Sequence, residues 1–186
     1  MRGSRPTVGQ LTVMVGMVAS GKTTTASQIA AERGALRLTP DEWMIPLFGL
    51  DFRDEAYARH RDVLEGRLIS IAIEVLRAGV DVVLDFGCWA KAERTALRHV
   101  AAALGAECEI VCLTVSQEEQ SRRIKARWEQ APHTTFLINE DDLVRWAALF
   151  EAPDARELAG EPLDPPPAGH ADWGEWAEQR WPPLSL

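Results

Sequence analysis

No apolar run in this 186-residue chain approaches the roughly 18 residues that a membrane-spanning helix needs, so no helical anchor is expected. The N-terminal stretch MRGSRPTVGQ carries two arginines but no apolar segment, and does not read as a signal peptide. Cysteine is scarce. Cys88, Cys108 and Cys112 are odd in number and lack metal-ligand spacing, which argues against a disulfide framework or a zinc cluster. These features point to the cytoplasm and reduced thiols. Basic residues are also short: 20 Lys and Arg stand against 28 Asp and Glu, a net charge of −8. Such a chain is a poor fit to a protein that grips a long nucleic-acid backbone, so no nucleic-acid partner is expected. A small local basic site for phosphates is still compatible with it. Internal repeats are lacking too.

The charge is unevenly placed. From Glu151 onward there are eight acids against two arginines, which leaves the preceding part near −2. That preceding part alternates two textures. Leu11–Val15 (LTVMV), Ala35–Leu38, Val80–Phe86 (VDVVLDF) and Cys108–Val115 (CEIVCLTV) are short apolar runs rich in β-branched residues, and read as strands. Between them, Gly21–Arg33, Asp54–Ala78 and Ala90–Leu104 have helical character and end at Gly34, Gly79 and Gly105. In Asp54–Ala78 an apolar stripe of Tyr57, Leu64, Leu68, Ile71 and Val75 is broken by a polar turn at His60 and Arg61. Two more helices are expected over Gln117–Glu129 and Glu140–Phe150, the latter capped by Asn139. Alternating strands and helices imply parallel βαβ units in a three-layer α/β fold. Residues 1–150 would form this domain, with a lid at about 117–138. Residues 151–186 change to Pro, Gly, acid and Trp. They show no clear fifth strand, and one short helix is expected near Asp172–Arg180. The three tryptophans of this arm need cover, so it should pack on the same domain.

The segment Gly16-Met-Val-Ala-Ser-Gly21-Lys22-Thr23 fits G-x-x-x-x-G-K-[ST]. Glycines let successive N–H groups turn toward an anion, and the helix that opens near Gly21 adds its positive dipole end. Gly16, Val18, Ala19, Ser20, Gly21, Lys22, Thr23 and Thr24 are the expected nucleotide contacts. Lys22 would reach the outer phosphates and Thr23 would ligate Mg²⁺. The motif follows a strand and opens a helix, which is the context it requires. By itself it does not separate a kinase from an ATPase or GTPase.

Asp41 follows the second strand, so it should face the same crevice as the phosphate loop, where a carboxylate can accept a proton from an attacking hydroxyl. It could equally cap the helix that begins there, as could Thr39. Asp85 ends the third strand, the place of an acid that holds Mg²⁺ through water. Orienting substrate or forming a turn beside Gly87 are its other readings. Arg123 and Arg127 lie at i and i+4 on one helix face and can close over transferring phosphates, while Arg122 is offset. The competing reading is a solvated helix with Glu118–Arg122 and Glu119–Arg123 pairs. The aromatics and arginines of Glu42–Arg61 suit a small-molecule pocket. Trp43, Arg53, Tyr57 and Trp89 join Asp41 and Asp85 as candidate acceptor contacts, though Trp43 and Trp89 also read as packing residues. His60 reads as a hydrogen-bonded structural histidine.

With these features in order, the chain resembles the small P-loop kinases, and more narrowly the ATP-binding AAA-33 type group. Chloramphenicol phosphotransferase, the zeta-toxin kinases, gluconate kinase and the kinase domain of polynucleotide kinase are relatives in that group. The resemblance covers Leu11 to Phe150 in element order, and TPDEWM, VVLDFGCWAKAERTALR and RWAALFEAPD look like text of that group. It implies an ATP- and Mg²⁺-dependent phosphotransferase with strand order 2-3-1-4-5 and a small hydroxylated acceptor such as an antibiotic, sugar, nucleoside or nucleotide-sugar. Asp41 matches the Asp that acts on the acceptor hydroxyl, and Arg123 and Arg127 match the lid arginines by place. The chain departs from the group where a fifth strand usually follows the lid, and a rearranged adenine pocket would follow. Two rival functions are a polynucleotide 5′-hydroxyl kinase and a nucleotide-dependent regulatory module with weak ATPase activity.

Overall fold

The computed structural model describes residues 8–131 and 135–186; Pro132, His133 and Thr134 of the expected lid lie outside the described residues. The chain runs β1 (Leu11–Val15), α1 (Lys22–Arg33), β2 (Leu36–Leu38), α2 (Asp41–Phe48), α3 (Tyr57–Arg77), β3 (Val82–Gly87), α4 (Lys91–Ala103), β4 (Cys108–Cys112), α5 (Gln117–Gln130), α6 (Glu140–Leu149), α7 (Ala155–Leu158) and α8 (Trp173–Arg180). The four strands are parallel, in the order β2-β3-β1-β4. The expected order holds for these four, and the described residues contribute no fifth strand. The arm that would supply one carries Pro162, Pro165, Pro166 and Pro167, which lack the N–H a ladder needs. β4 is therefore an edge strand, and its residues are all half-buried.

β1 is central and buried throughout. Its residues alternate between two faces. Leu11, Val13 and Val15 join Val82 and Leu84 in a large core with Leu68, Ile69, Ile73 and Leu76 of α3 and Leu97 and Val100 of α4. Met14 and Val83 turn to the other face and pack on Ala26 of α1. Helices therefore cover both faces of the sheet, as an all-parallel sheet requires. The register of β1 on β3 slips between Val13 and Val15, so Val15 pairs with Gly87. The slip falls where both strands run out toward the phosphate loop, the rim at which such irregularities re-aim side chains.

α2 was expected only as a helix that Asp41 or Thr39 would cap, with no defined span. It is eight residues long, holds Pro46 within it and has Pro40 as N-cap with no side-chain cap bond. Neither Thr39 nor Asp41 caps it. α6 begins as expected, with the Asn139 side chain accepting the Asp142 N–H at 2.9 Å. The arm is covered by the domain. α8 starts at Asp172, lies along α4 and sends Trp173, Trp181 and Leu184 into the large core. Among the described residues no helix is long and apolar enough to cross a membrane.

Candidate active site

The site gathers at the carboxyl ends of β1, β2 and β3. After Val15 the chain turns through Gly16 at φ +148°, Ala19 at +58° and Gly21 at +102°. A Cβ at Gly16 would sit 2.5 Å from the Leu113 carbonyl oxygen, so the loop can lie this close to the β4 end only as glycine. Three successive loop carbonyls are turned outward and occupied. Met17 O accepts from Lys22 Nζ at 2.8 Å, Val18 O from Gln120 Nε2 at 2.9 Å and Ala19 O from Arg123 Nη1 at 3.2 Å. The Ser20 N–H also closes on the Met17 carbonyl at 3.2 Å, and the loop leads into the N-terminus of α1, whose positive end suits an anion. The Ser20 hydroxyl is buried beside the loop, and no partner is found for it among the described residues. A glycine cradle that a Cβ would fill and a lysine folded back on the loop rim fit a nucleotide phosphate chain. Thr23 and Thr24 lie exposed in the first turn of α1.

Lys22 is crowded by protein, which pushes its pKa down, against the pull of Asp85 and then Asp41. Asp85 is the last acid of β3, with its side chain 2% exposed. Desolvation raises its pKa, and the Thr23 hydrogen bond and the Lys22 charge only partly offset that. Arg37 of β2 donates to Asp85 Oδ2 at 3.2 Å and also pairs with Glu42. Asp85 thus faces Thr23, where an outer-shell Mg²⁺ partner belongs.

The Asp41 side chain is 70% exposed, and the charges of Arg61, then Lys22 and Arg127, act on it. Arg61 Nη1 donates to its Oδ1 at 2.6 Å. Desolvation by the surrounding protein raises the Asp41 pKa, but the Arg61 charge and hydrogen bond outweigh it and hold the carboxyl below its ordinary range. Arg123 touches the phosphate loop directly, whereas the charge of Arg127 makes only a minor contribution at Lys22 and Asp41. Arg123 also donates to Glu119 at 2.7 Å. Glu119, bound by Arg122 and then Arg123, is drawn down to about 2. Arg123 is paired with Glu119 within its helix and also docks on the phosphate loop, while Arg122 pairs with Glu119 and not with Glu118 as expected.

The candidate acceptor contacts divide. Trp89 donates from Nε1 to the Gly16 carbonyl at 3.1 Å, so it lines the loop. Tyr57 Oη accepts from Arg61 at 3.3 Å, beside Asp41. Half-buried rings run between these two points, from Trp89 to Trp146, Phe52, Phe136 and Tyr57, with successive centroids 5.0–5.9 Å apart. Trp43 is half-exposed on α2, two residues past Asp41. Arg53 is engaged elsewhere: it braces the start of α6 through Asp142 Oδ2 at 2.6 Å and the Leu137 carbonyl at 3.0 Å. His60 Nδ1 bonds the Ala56 carbonyl at 2.7 Å and packs on Phe48.

Sequence reasoning missed Arg61, Gln120, Arg37 and Arg94. The trace of Arg61 was the polar break in the α3 stripe. Arg94 is fully buried; it grips Glu157 of α7 through Nε and Nη2 at 2.8 and 3.0 Å and holds the Cys88 and Trp89 carbonyls. It thereby fixes the turn that presents Trp89.

Comparison with known proteins meets this geometry from outside. The AAA domain family AAA_33 matches residues 11–153. The chain belongs to that family. No curated protein matches the chain. Among solved structures, this AAA_33 domain resembles a candidate kinase from Chloroflexus aurantiacus, with TM-score 0.61 and 17% identity over 88% of this chain and 85% of that one. It also resembles Kti12 of Chaetomium thermophilum in complex with ADP-AlF3, with TM-score 0.59 and 17% identity over 92% and 95%. A chain of the Pnkp1/Rnl/Hen1 RNA repair complex gives TM-score 0.64 at 18% identity over 80% of this chain, which spans 46% of that one. At such identities the likeness is one of fold: a kinase-like, nucleotide-binding P-loop domain.

Proposed function

We propose that this AAA_33 domain is an ATP- and Mg²⁺-dependent phosphotransferase acting on a hydroxyl of a small molecule. The observation that carries the reading is the Asp41 carboxylate, which lies exposed within the field of Lys22 instead of capping α2. In this reading residues 1–150 are the catalytic body with its lid, and 151–186 an arm packed on it. Gly16 and Val18 to Thr24 hold the phosphates. Thr23 ligates Mg²⁺, with Asp85 in its outer shell. Mg-ATP, when bound, supplies the transferable phosphoryl group and a divalent charge. Lys22, Arg123 and Arg127 balance charge on that group. Asp41 orients the acceptor hydroxyl. The acceptor oxygen bonds to the γ-phosphorus, the bond from that phosphorus to the β–γ bridging oxygen breaks, and the hydroxyl proton passes to Asp41 as ADP leaves. A carboxylate held below its ordinary pKa is a weak base. In a loose transition state the proton leaves late, so orientation is the larger part of its role.

Charge favours a small acceptor over a polynucleotide. Arg37 and Arg61 beside Asp85 and Asp41 each answer a carboxylate, and the whole chain is at −8. The half-buried rings from Trp89 to Tyr57 supply apolar surface suited to a small molecule. Screening hydroxylated metabolites and antibiotics for acceptor-dependent ADP release tests the reading, with a 5′-hydroxyl oligonucleotide as the rival acceptor. For the acceptor found, Asp41→Asn is expected to lower turnover about 100-fold or more while nucleotide affinity stays within about twofold. Loss of nucleotide affinity would assign Asp41 to the nucleotide instead. ADP release independent of every acceptor and of Asp41 would favour the regulatory module.

A further inference from the structure

Arg61 is gripped on every edge of its guanidinium. Nε lies 2.8 Å from Glu65 Oε1 in an ion pair, while Nη1 donates to Asp41 Oδ1 at 2.6 Å and to Tyr57 Oη at 3.3 Å, and Nη2 to the Phe86 carbonyl at 3.2 Å. Glu65 is buried in turn, and its other oxygen, Oε2, accepts the Trp181 indole N–H at 2.9 Å. Trp181 is 1% exposed and follows α8, the last helix of the chain. Arg180 ties the same point down through Asp62 at 2.5 Å and Glu93 at 2.8 Å. Gly66 makes room for it, since a Cβ there would lie 2.3 Å from the Trp181 carbonyl oxygen.

We propose that the C-terminal arm is a working part of the acceptor side, because Trp181 fixes Glu65, Glu65 fixes Arg61 and Arg61 sets the direction of the Asp41 carboxylate. This inference rests on the reading of Asp41 given above. Buried ion pairs of this kind add little stability over apolar packing of the same volume, whereas a guanidinium with all its edges engaged has one orientation. The bond to Arg61 takes Asp41 Oδ1 and leaves Oδ2 to the cleft. Arg61 and Glu65 are positioning residues, and Trp181 acts through them.

The test uses the full chain and needs no acceptor. Trp181→Phe keeps an aromatic ring and removes the N–H donor, and Glu65→Gln removes the charge. Trp173→Phe is the control: Trp173 opens α8 where Trp181 follows it, is also buried, and donates instead to the Asp164 carbonyl at 2.7 Å. Hydrogen exchange at Arg61 Nε–H, assigned by its loss in Arg61→Lys, is expected to be about tenfold faster in Trp181→Phe and Glu65→Gln and unchanged in Trp173→Phe. The Asp41 carboxyl carbon resonance should move in the first two and stay in the third. Affinity for a fluorescent ADP analogue with Mg²⁺ should be the same in all four proteins. Equal acceleration in Trp173→Phe would reduce the arm to general support, and unchanged exchange in the other two would dismiss the relay. A parallel fall in nucleotide affinity would move Arg61 to the nucleotide side. Failure of the kinase reading itself would appear elsewhere, as absence of acceptor-dependent ADP release in the unaltered protein.

Discussion

Asp41 and Glu65 hold the same guanidinium and are shifted in opposite directions, down for Asp41 and up for Glu65. For Glu65 desolvation prevails over the charges of Arg61 and Arg180, whereas at Asp41 Arg61 prevails. One arginine therefore pairs with an exposed carboxylate and a buried one. At this scale the phosphate loop gives the most direct test. Gly16→Ala would need a side chain at φ +148° with its Cβ 2.5 Å from a backbone oxygen that cannot yield alone. The loop must shift, so affinity for Mg-ADP is expected to fall more than about tenfold, measured by calorimetry. Affinity unchanged in that variant would mean that the loop accommodates nucleotide in another conformation.

At the scale of elements, the parts legible in the sequence were those whose signal is local. β1 and α1 match their expected spans because an apolar run, a glycine-rich turn and a closing Gly34 all lie within one short window. α6 was legible through its cap, Asn139, and α8 lies where a short helix was expected, with Asp172 capping it in the structure. The span of α2 was not legible, because it has no capping side chain and carries Pro46, so its helicity is set by where β2 delivers the chain. α7 was missed because four residues in an acidic, proline-rich arm give no periodicity; its place is set by buried Arg94 meeting Glu157. The candidate site was half legible. The topological rule brings Asp41 and Asp85 to one crevice, but the Asp41–Arg61 bond spans 20 residues and two helices and leaves no pattern. The contact of α3 with the arm makes a prediction at this scale. In most exposed helices Gly→Ala stabilises, but Gly66→Ala would drive a methyl into the Trp181 and Pro182 carbonyls. It should destabilise by about 1–3 kcal/mol in urea unfolding. A gain in stability would show that the arm can lift from α3 without cost.

For the whole molecule, the arm adds core as well as cover. Trp173, Trp181 and Leu184 complete the face opposite α1, so the unfolding of arm and body should be a single transition. The pH dependence of that transition carries the mark of Glu65. Its folded pKa is raised above the ordinary 4.5, so the native state holds its proton more tightly than the unfolded chain does. Relative to Glu65→Gln, the unaltered protein is expected to gain stability as pH falls through the raised folded value toward 4.5, and to lose it as pH rises through that window. Urea midpoints of the two proteins at several pH values check this, and a difference that stays flat would mean Glu65 titrates alike in both states. The long reach from Glu65 to Trp181 also bears on how the protein is made. The two are 116 residues apart, so on a growing chain the partner of Glu65, and the part of the core that Trp173, Trp181 and Leu184 complete, arrive last. Chains cut before the arm would then leave Glu65 without its indole partner and the core open on that side.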